Sequence, residues 1–106
     1  MDISFYSGDS RDLIISVVDE NDKPIDLTDA SIEWVLAEND LIKLKKNIGE
    51  GVTIVNAQEG LFKIEISSDD TGSLKGDYKQ LARVTISGGK SSIVLDETIK
   101  IEKSLI

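Results

Sequence analysis

Cysteine and histidine are both absent from the 106 residues of this chain. Their absence excludes disulfide bonds, thiolate nucleophiles, Cys/His zinc sites, haem ligation by either residue, and every catalytic triad or dyad that relies on imidazole. Aromatic residues make up only 5% of the chain, too few for the aromatic platform that glycan or single-strand binding usually needs. We therefore expect no enzymatic activity, no catalytic residue and no cofactor.

Basic residues are also few, since twelve lysines and arginines face twenty acidic residues and the net charge is -8. This charge repels phosphate, so we expect no nucleic-acid partner. Long apolar runs are missing too, and none approaches the roughly 20 residues that cross a bilayer. The first residues have neither a basic nor an apolar signal region, which predicts a protein made in the cytoplasm with no membrane partner.

The apolar residues that are present recur mostly at every second position, and many are β-branched, a pattern typical of strands. In the segment 61–66, for example, Phe62, Ile64 and Ile66 should face a core while Lys63 and Glu65 face water. By the same alternation Trp34 should be buried, together with Phe62 and Tyr78. Strands are expected near residues 3–7, 11–19, 30–37, 41–45, 51–55, 60–67, 77–87 and 91–102.

Compact turn signals separate these strands at intervals of about 8 to 12 residues, the spacing of a sandwich or barrel. The segment 67–74 reads as one short helical turn whose start is capped by Ser and Asp side chains. Near the end, Glu97 shares the alternation of Ile93, Leu95 and Ile99, so either a β-bulge resets the register there or the carboxylate lies at the rim; we favour the bulge. The predicted fold is all-β: one domain, residues 1–106, forming an antiparallel immunoglobulin-like β-sandwich of seven or eight strands.

Three groups of polar residues are candidates for chemistry, and each has a simpler structural interpretation. Oxygen ligands for calcium gather at Asp19, Glu20, Asn21, Asp22 and Asp26, but the spacing is not that of an EF-hand loop and a turn beside Pro24 requires such residues. The adjacent Asp69 and Asp70 are better explained as helix caps than as an acid/base pair. Gly88-Gly89-Lys90 lacks the spacing of a phosphate-binding loop and predicts a turn. We expect no metal site.

One short segment is a candidate interface, formed by Leu41, Ile42, Lys43, Leu44, Lys45 and Lys46. The lysines could form a basic patch for an acidic partner, and residues 1–40 supply acids, with eleven acidic side chains against two basic ones. Alternatively, lysines on an edge strand discourage unwanted pairing. The first interpretation predicts a homo-oligomer or docking onto another protein.

A series of short motifs gives a resemblance to a known family. In order they are Gly8-Asp9-Ser10, the segment 18–30 with Pro24 and Leu27-Thr28, Ile32-Glu33-Trp34, Gly60-Leu61-Phe62, Asp70-Thr71 and Gly76-Asp77-Tyr78. This order resembles small immunoglobulin-like domains of tailed-phage structural proteins, such as the N-terminal domain of baseplate upper proteins and related tail or fibre modules. Asp29 and the pair Asp22-Lys23 stand where that family commonly has glycine, but aspartate tolerates turn geometry.

The resemblance implies a virion structural protein of a bacteriophage or prophage, made in the bacterial host cytoplasm and bound to other virion proteins or to copies of itself. A head-decoration or neck protein of a phage is an alternative within the same class. A glycan-binding β-sandwich module, or a metal-dependent hydrolase built on the acidic first third, are alternatives from other classes.

Overall fold

A computed structural model of the chain describes residues 3–106. Strands make up 61% of the structure and helix 4%, so the all-β prediction is confirmed. The elements, in chain order, are β1 Ile3–Tyr6, β2 Arg11–Ser16, β3 Ser31–Glu38, β4 Leu41–Ile48, β5 Gly51–Asn56, β6 Leu61–Ile66, α1 Ser68–Thr71, β7 Gly76–Thr85 and β8 Ser91–Glu102. All eight expected strands are present. In the described part of the chain, no helix is long and apolar enough to cross a membrane.

The eight strands form one mixed sheet curled into a half-barrel, in the order β1-β8-β7-β3-β4-β5-β6-β2. Most neighbours are antiparallel, but β1 runs parallel to β8, and β4 runs parallel to β5 over two residue pairs. The expectation of purely antiparallel pairing is therefore wrong at these two contacts. The alternation of apolar residues indicates which face of a strand is buried, but it carries no information on the direction of the neighbouring strand.

The core lies on the concave side of the sheet and contains the side chains that alternation assigned to it. Trp34, Phe62 and Tyr78 belong to one cluster, and Trp34 and Phe62 have no exposed surface. The indole N–H of Trp34 donates a hydrogen bond of 3.0 Å to Oε1 of Gln80, which is also fully buried. This bond satisfies the one polar atom of the largest core side chain.

The β-bulge of β8 lies at Val94 and not at Glu97. Ala82 of β7 pairs with Leu95, but the next residue, Arg83, pairs with Ile93. The register is thereby shifted before Leu95, so Ile93 is 45% exposed whereas Leu95 is buried. Glu97 keeps the inward side and lies half-buried at the rim, so the preferred bulge at Glu97 is wrong and the rim position is correct.

Hydrogen bonds between residues close in sequence hold α1 and the turns between the strands. Ser67 caps α1 through a capping box, in which its hydroxyl accepts from the Asp70 N–H while the Asp70 carboxylate accepts from the Ser67 N–H. The Tyr78 hydroxyl bonds back to the N–H and C=O of Lys75, each at 2.9 Å. Asp22 and Asp29 adopt positive φ angles of 61° and 58°, a conformation that glycine adopts most readily and that aspartate tolerates.

Candidate interaction surface

β4 presents a backbone edge that is only partly paired. It pairs with β3 along most of its length, from Glu38↔Leu41 to Glu33↔Asn47. On its other side, β5 pairs only with Asn47 and Ile48. From Leu41 to Lys46, the edge that points away from β3 therefore has no strand partner within residues 3–106; we call it the β4 edge.

The side chains of this strand divide between its two faces at a β-bulge. Leu36 of β3 pairs with Leu44, whereas Ala37 pairs with Ile42, so Lys43 is the extra residue. As a result, Ile42 and Lys45 lie on the convex outer face, whereas the inner side of the strand carries Leu41, Leu44 and Lys46. Leu41 and Ile42 are 62% and 61% exposed. Two large apolar side chains thus stand in solvent beside unpaired backbone groups.

The outer face beside Ile42 is apolar at its centre and charged around it. A shallow groove of about 350 Å³ there is lined by seven residues: Val35, Ala37, Asn39, Asp40, Ile42, Lys79 and Leu81. Exposed ion pairs flank it, with Lys45 at 3.6 Å from Glu33 and Lys79 at 3.5 Å from Asp96. Such exposed pairs add little to stability. An apolar centre within a polar rim is the usual composition of a protein–protein contact.

Lys46 differs from the other candidate interface residues because it is part of the fold. Its Nζ lies 2.8 Å from the Asp70 carboxylate, and its side chain is only 13% exposed. The aliphatic part lies over Gly51, where a Cβ would come within 2.6 Å of the Lys46 side chain. The structure therefore leaves Lys43 and Lys45, not Lys46, available to a partner. Sequence spacing could not show this, because Asp70 is far away along the chain.

Contact with Lys46 also alters the acidity of Asp70. Partial burial raises the pKa of Asp70, but hydrogen bonds from the Lys46 ammonium, the Ser67 N–H and the Ser67 hydroxyl together outweigh it and leave the pKa lowered. The folded state therefore binds a proton at Asp70 less readily than the unfolded chain does. The resulting stabilisation is present above the unfolded pKa of about 3.9 and is lost as the pH falls through the lower folded-state pKa.

We expect Asp70→Asn to lower the free energy of unfolding by about 1 kcal/mol at neutral pH, because it removes the partner of a mostly buried ammonium. Chemical denaturation of both proteins at pH 7 and at about pH 2 measures the difference, which should be smaller at the lower pH because the native carboxylate loses its charge as the pH falls through its lowered pKa. Asp69→Asn is the control, since Asp69 makes no ion pair in the described structure. An equal loss at both pH values would contradict the assigned role.

Two members of the candidate calcium cluster, Asp19 and Asp26, serve as turn acceptors. One Asp19 carboxylate oxygen accepts from the N–H groups of Asn21 and Lys23, at 2.8 and 3.0 Å. Asp26 accepts from the hydroxyl and N–H of Thr28, and these bonds lower the pKa of Asp26. Within residues 3–106 there is no group of three or more acidic side chains arranged to hold a metal ion.

The remaining sequence candidates also have structural roles. Gly88 and Gly89 have φ angles of 101° and 89° and form the turn between β7 and β8, closed by a 2.9 Å bond from the Ile86 N–H to the Lys90 C=O. This agrees with the turn predicted there. Asp69 lies in the first turn of α1 beside the capping box of Asp70.

Comparison with known proteins gives only a weak structural likeness. No protein-family model matches the chain, and no curated protein sequence matches it. Among solved structures, it is similar to AggA, the major subunit of aggregative adherence fimbriae type I from Escherichia coli, with 11% sequence identity and a TM-score of 0.40. The alignment covers 97% of this chain and 89% of the fimbrial subunit.

Proposed function

We propose that this protein is a non-enzymatic structural component of a tailed-phage or prophage virion, in the tail, baseplate or fibre, that acts by binding other virion proteins or copies of itself. It would be made in the bacterial host cytoplasm and would function in the particle. The proposal combines the resemblance of the motif series with a surface suited to assembly. Head decoration or a neck position would use the same surface in the same way.

We also propose that the sheet forms an immunoglobulin-like sandwich. The sheet is narrowest between β4 and β5, where only Asn47↔Gly51 and Ile48↔Val52 pair. Dividing it there gives two layers, β1-β8-β7-β3-β4 and β5-β6-β2, which would face each other across the core as in an immunoglobulin-like sandwich. The bond from Tyr78 back to Lys75 and the buried Trp34 support this interpretation, since both features recur in such domains.

The β4 edge is the surface that best supports a role in assembly. It combines unpaired backbone from Leu41 to Lys46 with two exposed apolar side chains and the free lysine Lys43. Backbone groups at such an edge can pair with another chain, apolar burial can hold the contact, and the lysines can select an acidic partner. The chain itself carries a net charge of -8, so a copy of it is an acidic partner.

The proposal is tested in the phage or prophage that encodes the protein. Particles that lack it should show a missing or unstable substructure by electron microscopy, and infectivity should fall. Intact, infectious particles in its absence would exclude the structural role. Immunogold labelling of wild-type particles then identifies whether head, neck or tail carries it.

Reversing the two exposed lysine charges of the β4 edge should weaken incorporation of the protein into particles. We expect Lys43→Glu/Lys45→Glu to reduce the amount of protein in purified particles, because an acidic partner would be repelled, while the melting temperature changes little. Lys46 is kept, since its loss would leave Asp70 without its ion pair. Lys75→Glu/Lys90→Glu has the same change in net charge away from β4 and should be incorporated normally. Equal incorporation of both variants would exclude the β4 edge as the contact.

A further inference from the structure

A second unpaired backbone edge lies at the border of the sheet that β2 forms. β2 is the last strand in the sheet order and pairs with β6 alone. Its other edge, from Arg11 to Ser16, has no strand partner in the part of the chain that the structure describes. Ile14 stands there 57% exposed. The β2 edge and the β4 edge are therefore two separate unpaired backbone edges, at different places on the surface.

Beside β2 lies a groove whose lining suits an apolar, basic strand. It measures about 440 Å³, and we call it the β2 groove. Its lining comes from three strands: Ile3 of β1, Asp12, Leu13, Ile14, Ile15 and Ser16 of β2, and Val94, Leu95 and Glu97 of β8. The charged residues in this lining are acidic, and no lysine or arginine contributes to it. Its apolar residues are aliphatic and, apart from Ile14, at least partly buried.

We propose that the β4 edge of one copy pairs antiparallel with the β2 edge of a second copy and covers the β2 groove. The inference rests on the proposed function and names the partner for the same β4 surface. Lys43 is the bulge residue against β3, and we leave it unpaired here too. One register then places apolar residues opposite apolar residues on both faces of the sheet. It sets Ile42 opposite Ile14 and Lys45 opposite Asp12 on the outer face.

The inner side of the same register is complementary at its two apolar pairs, and beyond them Lys46, which is ion-paired with Asp70, falls opposite Arg11. Leu41 falls opposite Ile15 and Leu44 opposite Leu13, and both β2 residues line the β2 groove. Leu41 is 62% exposed in the single chain and would gain most from this contact. Burying it and Ile42 removes two large apolar side chains from water while the backbone groups of both edges become paired.

The other unpaired stretch, along β8, is a poorer partner for β4. It begins with Ser91 and Ser92, which offer no apolar contact. Its outward acid, Asp96, already lies 3.5 Å from Lys79. Asp12, in contrast, lies beside the exposed Ile14 and makes no ion pair in the described chain. An exposed isoleucine and an outward acid that makes no ion pair within residues 3–106 thus occur together at β2, whereas the outward acid of β8 is already paired.

Because the two edges are different surfaces, the contact is head-to-tail. Each copy then still has one free β4 edge and one free β2 edge, so addition continues until a ring closes or a filament grows. The ion pair of Lys45 with Asp12 makes the assembly sensitive to salt, whereas the leucine and isoleucine contacts do not depend on it.

Charge exchange between two variants tests the contact by analytical ultracentrifugation at low salt. Asp12→Lys and Lys45→Glu each place like charges together, so each alone should sediment as a monomer where the wild type forms larger species. In an equimolar mixture, the new lysine meets the new glutamate, and the native Lys45 of the first variant meets the native Asp12 of the second. Larger species should therefore return in the mixture only.

A matched pair of variants tests whether β2 or β8 is the strand to which the β4 edge binds. Ile14→Lys should raise the dissociation constant about tenfold or more, because it removes the apolar contact with Ile42 and places a lysine diagonally beside Lys45. Ile93→Lys is the control: it is also exposed, at 45%, and also faces a basic neighbour across its strand pair, Arg83 instead of Lys63. It should assemble like the wild type. Circular dichroism melting confirms that each variant is folded.

Two results would exclude the pairing of the β4 edge with the β2 edge and would leave the proposed virion role unaffected. One is assembly of Asp12→Lys and Ile14→Lys at wild-type strength, which would assign the receiving surface to another part of the chain. The other is a wild type that stays monomeric up to millimolar concentration at low salt, which would exclude self-pairing. In either case the particle experiments still decide whether the protein is a virion component.

Discussion

Replacing Trp34 with alanine should unfold a large part of the protein population. The indole is fully buried, and its removal leaves a cavity in the core and deprives Gln80 of the donor to its Oε1. We expect a loss of about 3–5 kcal/mol, a large share of the 5–15 kcal/mol by which small domains are stable. Chemical denaturation followed by circular dichroism measures it, since the variant has no tryptophan fluorescence.

Trp34→Phe separates the contribution of the buried apolar volume from that of the hydrogen bond to Gln80. It keeps most of the apolar volume but leaves Oε1 of the buried Gln80 without a donor, which costs about 1–3 kcal/mol. Gln80→Met in the same background removes that unpaired oxygen, together with Nε2, which has no hydrogen-bond partner within residues 3–106. The double variant should therefore recover stability relative to Trp34→Phe. A loss below about 1 kcal/mol for Trp34→Ala would contradict the burial of this strand face.

A comparable loss is expected for Gly60→Ala, at the turn that leads into β6. Gly60 has a φ angle of 69°, and a Cβ there would lie 2.5 Å from the carbonyl oxygen of Val17 and 2.9 Å from that of Ile25. The left-handed conformation alone costs an alanine about 1–2 kcal/mol. Both neighbours are backbone atoms, and the Gly60 carbonyl itself accepts a bond of 2.8 Å from the Val17 N–H. We therefore expect a total loss of at least about 3 kcal/mol.

Gly88→Ala is the matched control for this prediction. Gly88 also has a positive φ, of 101°, but no atom lies within 4 Å of the position that its Cβ would take. Gly88→Ala should lower the free energy of unfolding only by the cost of the left-handed conformation, about 1–2 kcal/mol. Thermal and denaturant unfolding of the two variants compares them directly. Equal losses would mean that the loops around Val17 and Ile25 move aside without cost.

Much of the strand content could be predicted because alternation is a local property of the sequence. The inward residues Ile32, Trp34 and Leu36 are buried as their spacing required, and Phe62, Ile64 and Ile66 likewise. The capping box of Ser67 and the tyrosine bond of Tyr78 were also predictable, since each joins residues three positions apart. These features need no knowledge of which strand lies beside which.

The features that could not be predicted all depend on distant neighbours. The direction of β1 is decided by its contact with β8 at the other end of the sequence, where Phe5 pairs with Ile101. The bulge at Val94 depends on how β8 fits against Arg83 of β7. Lys46 was grouped with Lys43 and Lys45 because the three are adjacent in sequence, and only the fold brings it to Asp70. Lys46 therefore has a role in the fold that its position in the sequence does not indicate.

The parallel pairing of β1 with β8 also determines how the protein would carry a mechanical load. Ile3 pairs with Ile99 and Tyr6 with Glu102, so the start of β1 and the end of β8 lie at opposite ends of this strand pair. Tension applied at Ile3 and Glu102 would slide the two strands along each other and strain all of their hydrogen bonds at once. An antiparallel pair would instead open one bond at a time. The domain should therefore resist stretching between Ile3 and Glu102.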